Sequence, residues 1–85
     1  MPVMSSVDSI VEAMKRDPSG VRFRDLQRIC EFYFGKPRQS GSHILFKMPW
    51  PGDPRISIQN SRGKAKAYQV KQVLLALERL KERGR

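Results

Sequence analysis

The sequence predicts an α+β protein in which a three-stranded antiparallel sheet packs on helices. Apolar residues recur at helical spacing towards both ends of the chain, and they alternate with polar residues in its middle. The 85 residues leave room for one hydrophobic core, so we expect a single domain over residues 1–85. The expected element order is α-α-β-β-β-α, which gives two layers and leaves one sheet face open.

Three segments have the periodicity of helices. A first helix over residues 5–17 is predicted because apolar residues recur there at i, i+3, i+4 and i+7. The segment 17–20, Asp-Pro-Ser-Gly, is typical of a turn, and Gly35 is expected to end the second helix. A third helix is expected from about Lys66 to Arg83. Its predicted apolar stripe consists of Val70, Val73, Leu74, Leu77 and Leu80.

The middle of the chain predicts three strands. Residues 36–39 are expected to form a short edge strand, because Pro37 cannot donate a backbone hydrogen bond. A turn at Ser40-Gly41 should lead into a second strand over residues 42–48, and a third strand is expected over residues 55–59. The Pro-rich segment between these two strands must be a loop.

Strand alternation assigns side chains to the two faces of this sheet. A register slip of one residue would exchange the faces. The side chains expected on the core side are Ser42, Ile44, Phe46, Met48, Ile56 and Ile58. The side chains expected on the open face include His43, Lys47, Arg55, Ser57 and Gln59.

The formal net charge of +9, from 17 Lys and Arg against eight Asp and Glu, indicates a polyanionic partner. RNA is the first candidate, and an acidic protein that covers the basic face is the second. The charge could also be only a soluble basic surface. One Cys and one His cannot form a disulfide or a Cys/His zinc site, so no metal or cofactor is expected. No apolar run approaches the roughly 20 residues of a membrane span, and the N-terminus is unlike a signal peptide. We therefore expect a cytoplasmic protein without membrane contact.

His43, the only histidine, opens the second predicted strand. A histidine side chain can accept or release a proton near neutral pH. On RNA lying across the open face, His43 could take the proton of a 2′-hydroxyl, whose oxygen would attack the adjacent phosphorus. The products would be a 2′,3′-cyclic phosphate and a 5′-hydroxyl. No metal is needed, because the nucleophile belongs to the substrate. Strand parity makes Lys47 and Arg55 candidates to stabilise the developing charge.

The sequence leaves alternatives open at this histidine. A lone histidine on a strand is often only a hydrogen-bonded surface residue. The leaving 5′-oxygen also needs a proton donor, and a lysine, a tyrosine, water or His43 itself could serve. One base contributes about 10²–10⁴-fold to a rate, so we expect a slow enzyme.

Four other residues are candidates for binding or reactivity. Lys64 and Lys66 lie where the third helix is expected to begin, and a helix start attracts phosphate, although this could be an ordinary exposed helix start. Trp50, between two prolines, could stack on a base, or it could pin its own loop or pack into a partner. Cys30 lies on the apolar stripe of the second helix and is expected to be a buried structural thiol.

The order of elements and the tripeptide Gly41-Ser42-His43 resemble the HicA toxin family over residues 21–80. This resemblance implies a core like that of double-stranded-RNA-binding domains, α-β-β-β-α, with the helix at residues 5–17 as an addition. It implies a metal-independent endoribonuclease that cleaves mRNA, with His43 catalytic and Gly41 and Ser42 as its motif neighbours. It further implies neutralisation by a HicB-like antitoxin protein.

Two segments depart from the family pattern, and one is similar to another RNA-binding fold. Residues 58–60, Ile-Gln-Asn, stand where HicA proteins often carry Pro-x-His. Residues 67–70, Ala-Tyr-Gln-Val, stand where they often carry Gly-Thr-Leu. The stretch 63–66, Gly-Lys-Ala-Lys, is similar to the basic start of the last helix in double-stranded-RNA-binding domains.

Three functions are therefore distinguished. A HicA-like ribonuclease toxin needs His43. A non-catalytic RNA-binding module of the same fold would not need His43 but would depend on Arg55, Lys64 and Lys66, and its affinity would fall steeply with salt. An interaction protein with an acidic partner would bind RNA negligibly at physiological salt.

Overall fold

The computed structural model describes residues 6–52 and 54–83. Within these residues the chain forms three α-helices, four strands and a short 3-10 turn at Pro18–Gly20. The strands make one antiparallel sheet in which each strand pairs with the next one along the chain. The α+β class is confirmed, but the sheet has one strand more than the sequence predicts. The elements are α1 (Ser6–Arg16), α2 (Phe23–Phe34), β1 (Arg38–Ser40), β2 (His43–Lys47), β3 (Arg55–Ser61), β4 (Lys64–Ala65) and α3 (Ala67–Arg83).

The additional strand, β4, occupies Lys64–Ala65, where the sequence predicts the beginning of the third helix. Arg62 and Gly63 form a two-residue turn in which both residues have positive φ, 54° and 85°. This is the combination required by a type I′ hairpin turn, whose twist matches that of the strands. The backbone amide of Gly63 also donates a 2.6 Å hydrogen bond to Asn60 Oδ1. The chain therefore returns along β3, with Lys64 opposite Ser61.

The β1–β2 hairpin turns at Gly41-Ser42, one residue later than predicted. Ser40 pairs with His43, so two residues connect the strands. Gly41 has a φ of 61°, which glycine adopts readily and which the first position of a type II′ turn requires. Ser42 thus lies in the turn. The expectation that its side chain joins the core side of the sheet is wrong.

The hydrophobic core lies between the helices and one face of the sheet. Helix α2 packs against β2 and β3, α3 packs against β3, and α1 lies on α2 and α3. Helix α1 occupies the segment predicted for the first helix and buries two of its apolar residues, Val7 and Met14. Gly35 ends α2 as predicted, because its φ of 89° lies outside the helical region. Its amide still donates a hydrogen bond to the Glu31 carbonyl. The largest fully buried side chains are Phe46, Met14, Leu26, Ile29, Ile58, Gln69, Val70, Val73 and Cys30.

Strand β4 is tied on its other side to the residues that precede α2. Arg22 and Lys64 form an isolated antiparallel bridge. The Ala65 amide donates to the Val21 carbonyl at 2.9 Å, and the Phe23 amide donates to the Gly63 carbonyl at 3.0 Å. These bonds hold the start of α2 against the edge of the sheet. Among the described residues, no helix combines the length and apolar character that a membrane crossing requires.

Candidate functional site

The pairing of β2 with β3 brings together the side chains predicted for the open face. His43 lies opposite Gln59, Leu45 opposite Ser57, and Lys47 opposite Arg55. Residues of the other parity, including Phe46 and Ile58, are buried beneath the helices. The predicted assignment of strand residues to the two faces is therefore confirmed for β2 and β3.

His43 contacts a hydroxyl group on the neighbouring strand. Its Nδ1 lies 2.9 Å from Ser57 Oγ, within hydrogen-bond distance. This contact uses one ring nitrogen and fixes the orientation of an otherwise exposed ring. When Nδ1 carries the ring proton and donates to Ser57, the lone pair of Nε2 faces outwards and can accept a proton.

Gln59, directly opposite His43, links three parts of the molecule. Its Nε2 donates to Ser42 Oγ at 3.3 Å, and its Oε1 accepts from Lys66 Nζ at 3.0 Å. Ser42 belongs to the turn before His43, and Lys66 immediately precedes α3. One carboxamide therefore joins the turn, β3 and the beginning of α3 beside the imidazole.

A second carboxamide, that of Gln69, supports Gln59 from below the sheet. Gln69 Oε1 accepts a 2.9 Å hydrogen bond from the Gln59 backbone amide, and its Nε2 donates to Tyr68 Oη at 3.2 Å. The side chain is only 2% exposed. Sequence reasoning missed this residue. The available signal is its spacing, because Gln69 lies at i, i+4 and i+7 with Val73 and Ala76, which are also buried.

The cations of the sheet lie at different distances from His43. Lys47 and Arg55 pair with each other at the far end of β2 and β3, four residues and about 14 Å from His43. Lys66 is nearer to His43, because its ammonium group donates to Gln59, the residue directly opposite His43. Lys64 lies on β4 instead of at a helix start, and Arg38 on β1 adds a cation that sequence reasoning missed. The four described strands contain no Asp or Glu.

Trp50 does not present its ring as a surface for base stacking. The side chain is 7% exposed and belongs to the core, and the Arg79 guanidinium carbon lies 4.7 Å from the ring centroid. A buried indole under a cation pins the loop after β2. This position supports the alternative interpretation of Trp50 as an anchor for its own loop.

Cys30 is fully buried on α2. Burial raises the pKa of its thiol from 9.0 to about 12, and the negative charge of Glu31 adds to this shift. A thiol with so high a pKa is protonated at neutral pH and is a poor nucleophile. Cys30 therefore has a packing role, as the sequence predicts.

The site brings together the imidazole of His43, the hydroxyls of Ser42 and Ser57, the carboxamide of Gln59 and the ammonium group of Lys66. Within residues 6–52 and 54–83, no three His, Cys, Asp or Glu side chains come together in a group that could hold a metal ion. Comparison of the chain with family models, with curated proteins and with solved structures found no match.

Proposed function

We propose that this chain is a HicA-like toxin, a metal-independent endoribonuclease that cleaves mRNA with His43 as the general base. One observation carries the proposal. The exposed imidazole of His43 is oriented by Ser57 on a sheet face whose described strands carry cations and no carboxylates. Such a face attracts a phosphodiester backbone, and the oriented imidazole can act on it.

The reaction begins when His43 Nε2 takes the proton of a ribose 2′-hydroxyl. The 2′-oxygen forms a bond to the adjacent phosphorus while the bond from phosphorus to the 5′-oxygen breaks. The fragments end in a 2′,3′-cyclic phosphate and, once the leaving oxygen is protonated, a 5′-hydroxyl. Negative charge on the phosphoryl oxygens is stabilised by the ammonium group that Gln59 holds.

The cations have different parts in this proposal. Lys47 and Arg55 lie about 14 Å from His43 along the strands, so they contact other phosphates of the same RNA strand. Lys64 and Arg38 extend the positive surface on the outer strands. These contacts hold the strand across the sheet, and they contribute a salt-dependent part of the affinity.

The toxin identity rests on the resemblance of the chain to the HicA family. Gly41-Ser42-His43 forms the hairpin turn and the first residue of β2, and a basic sheet face follows it. The element order around it supports a fold like that of double-stranded-RNA-binding domains, with β4 and α1 as additions. A HicB-like antitoxin would neutralise the protein by covering the basic face, which acidic groups complement.

The test is cleavage of single-stranded RNA in EDTA by the wild-type protein and by His43→Ala, with analysis of the product ends. We expect cyclic phosphate ends from the wild type and a rate lower by about 10²–10⁴-fold in the variant. Circular dichroism should show that both proteins are folded. Ser40→Ala is a matched control, because Ser40 pairs with His43 from the opposite strand and should leave the rate unchanged.

Growth arrest gives a second readout of the same proposal. Expression of the wild type should stop growth, expression of His43→Ala should not, and co-expression of a HicB-like antitoxin should restore growth. RNA binding by both proteins with cleavage by neither would instead establish the non-catalytic RNA-binding module.

A further inference from the structure

A histidine base accounts for only half of the proton transfers in the proposed cleavage. The 2′-hydroxyl loses a proton, and the departing 5′-oxygen must gain one. Because the chain has no second histidine, another side chain or water must supply that proton. The surroundings of Gln59 show which side chain is held at the required place.

Gln59 and His43 are a directly opposed pair, so their Cβ atoms are separated by about 5 Å on the same face. The Gln59 carboxamide is fixed at both ends, by Ser42 Oγ and by Lys66 Nζ. Its backbone amide is anchored by the buried Gln69. The ammonium group of Lys66 is thereby tied to the residue directly opposite His43, although Lys66 and His43 are 23 positions apart in the sequence.

We propose that Lys66 is the general acid of the reaction, and that Gln59 is the positioning residue that holds its ammonium group beside His43. This inference rests on the proposed ribonuclease function. The ammonium group has three N–H donors, and the bond to Gln59 uses one of them. Two donors remain for a phosphoryl oxygen and for the leaving 5′-oxygen.

The other candidate donors are less well placed. Lys64 pairs with Ser61, one step further along the face from Gln59. Lys47 lies about 14 Å from His43 at the far end of the strands. The Tyr68 hydroxyl is held by Gln69, whose carboxamide is directed into the core. Lys66 alone of these four is hydrogen-bonded to the residue opposite His43.

The proton balance of the step is complete. His43 gains the proton of the 2′-hydroxyl and becomes an imidazolium as the new bond to phosphorus forms. Lys66 gives a proton to the 5′-oxygen as its bond to phosphorus breaks, and the side chain becomes a neutral amine. After product release, solvent water takes the proton from the imidazolium and supplies one to the amine, and no other reactant is needed.

The experiment uses an RNA whose cleavage site has first been mapped with the wild-type protein. The same RNA is then synthesised with sulfur in place of the bridging 5′-oxygen at that site. A thiolate leaves without protonation, so this substrate does not need a general acid. The variants are Lys66→Arg, which keeps the positive charge but does not release a proton in proteins, and Lys81→Arg, at an exposed lysine in the last turn of α3, as the matched control.

We expect Lys66→Arg to cleave the oxygen substrate about 10²–10⁴-fold more slowly than the wild type. On the sulfur substrate it should be close to the wild-type rate. Lys81→Arg should resemble the wild type on both substrates, and His43→Ala should be slow on both. Gln59→Leu should show a smaller defect than Lys66→Arg, with the same recovery on the sulfur substrate.

Two results would overturn the assignment of Lys66 while leaving the ribonuclease intact. One is a wild-type rate for Lys66→Arg on the oxygen substrate, and the other is an equal defect on both substrates with unchanged thermal unfolding. A wild-type protein that cleaves no RNA in the mapping step would instead overturn the proposed function itself, and the assignment of Lys66 with it.

Discussion

Ser57 Oγ lies 2.9 Å from His43 Nδ1, although Ser57 is paired with Leu45 and is only diagonally adjacent to His43 across the strands. Diagonal neighbours on one sheet face are within reach of long or aromatic side chains. The imidazole therefore leans along the sheet towards Ser57 instead of standing over Gln59.

We predict that Ser57→Ala lowers the cleavage rate about fivefold without weakening RNA binding. The lost hydrogen bond is worth about 1 kcal/mol, and 1.4 kcal/mol corresponds to a factor of ten in rate. Nitrogen NMR of the only histidine should show a mixture of ring tautomers in the variant. Ser40→Ala, on the other side of His43, should change neither quantity, and equal effects of the two substitutions would contradict the role of Ser57.

A second prediction concerns the buried carboxamide of Gln69. Gln69→Leu removes the acceptor of the Gln59 backbone amide and leaves that N–H group without its partner. We expect the free energy of unfolding to fall by about 1–3 kcal/mol. Urea denaturation measures the change, and Gln72→Leu on the exposed side of the same helix is the matched control. Equal stability of the two variants would show that the amide finds another acceptor.

The third prediction uses Trp50, the only tryptophan, as a fluorescent reporter. Because its ring is buried under Arg79, bound RNA should leave its emission nearly unchanged. Anisotropy of a labelled RNA establishes that the complex has formed in the same titration. Arg79→Ala exposes the ring and should shift the emission in the absence of RNA. Strong quenching of the wild-type emission at saturating RNA would instead indicate stacking of a base on Trp50.

The fourth prediction concerns stability in alkaline solution. Burial raises the pKa of the Cys30 thiol to about 12 in the folded protein, against 9.0 for an exposed thiol. Above pH 9 the unfolded chain loses this proton while the folded protein keeps it, so the unfolded state binds fewer protons and stability falls as pH rises. The slope approaches about 1.4 kcal/mol per pH unit between the two values.

The measurement is the free energy of unfolding of the wild type and of Cys30→Val between pH 8 and pH 11. Other groups titrate in the same range, so the quantity of interest is the difference between the two proteins. The free energy of unfolding of the wild type should fall relative to that of Cys30→Val as pH rises above 9. Parallel pH profiles would show that the thiol ionises equally in both states.

Much of the fold follows from local patterns in the chain. The spacing of apolar residues predicts all three helices, and Gly35 predicts the end of α2. Alternation over β2 and β3 predicts which side chains face the core, because successive strand residues point to opposite faces whatever the strand pairs with. The sequence did not predict β4, because a two-residue strand is too short to have a period. It becomes a strand only when β3 is present to pair with it.

The candidate site, too, has features that the sequence predicts and features that it does not. The sequence by itself determined that His43 lies on a basic face, since parity and composition are properties of the chain. Only the tertiary structure decided its neighbours. The Arg62-Gly63 turn folds Lys66 back to Gln59, and strand pairing sets Gln59 opposite His43. Strand pairing also sets Arg55 opposite Lys47, at the end of β2 that is far from His43. Contacts between residues distant in sequence depend on register and turn geometry, which a local pattern does not contain.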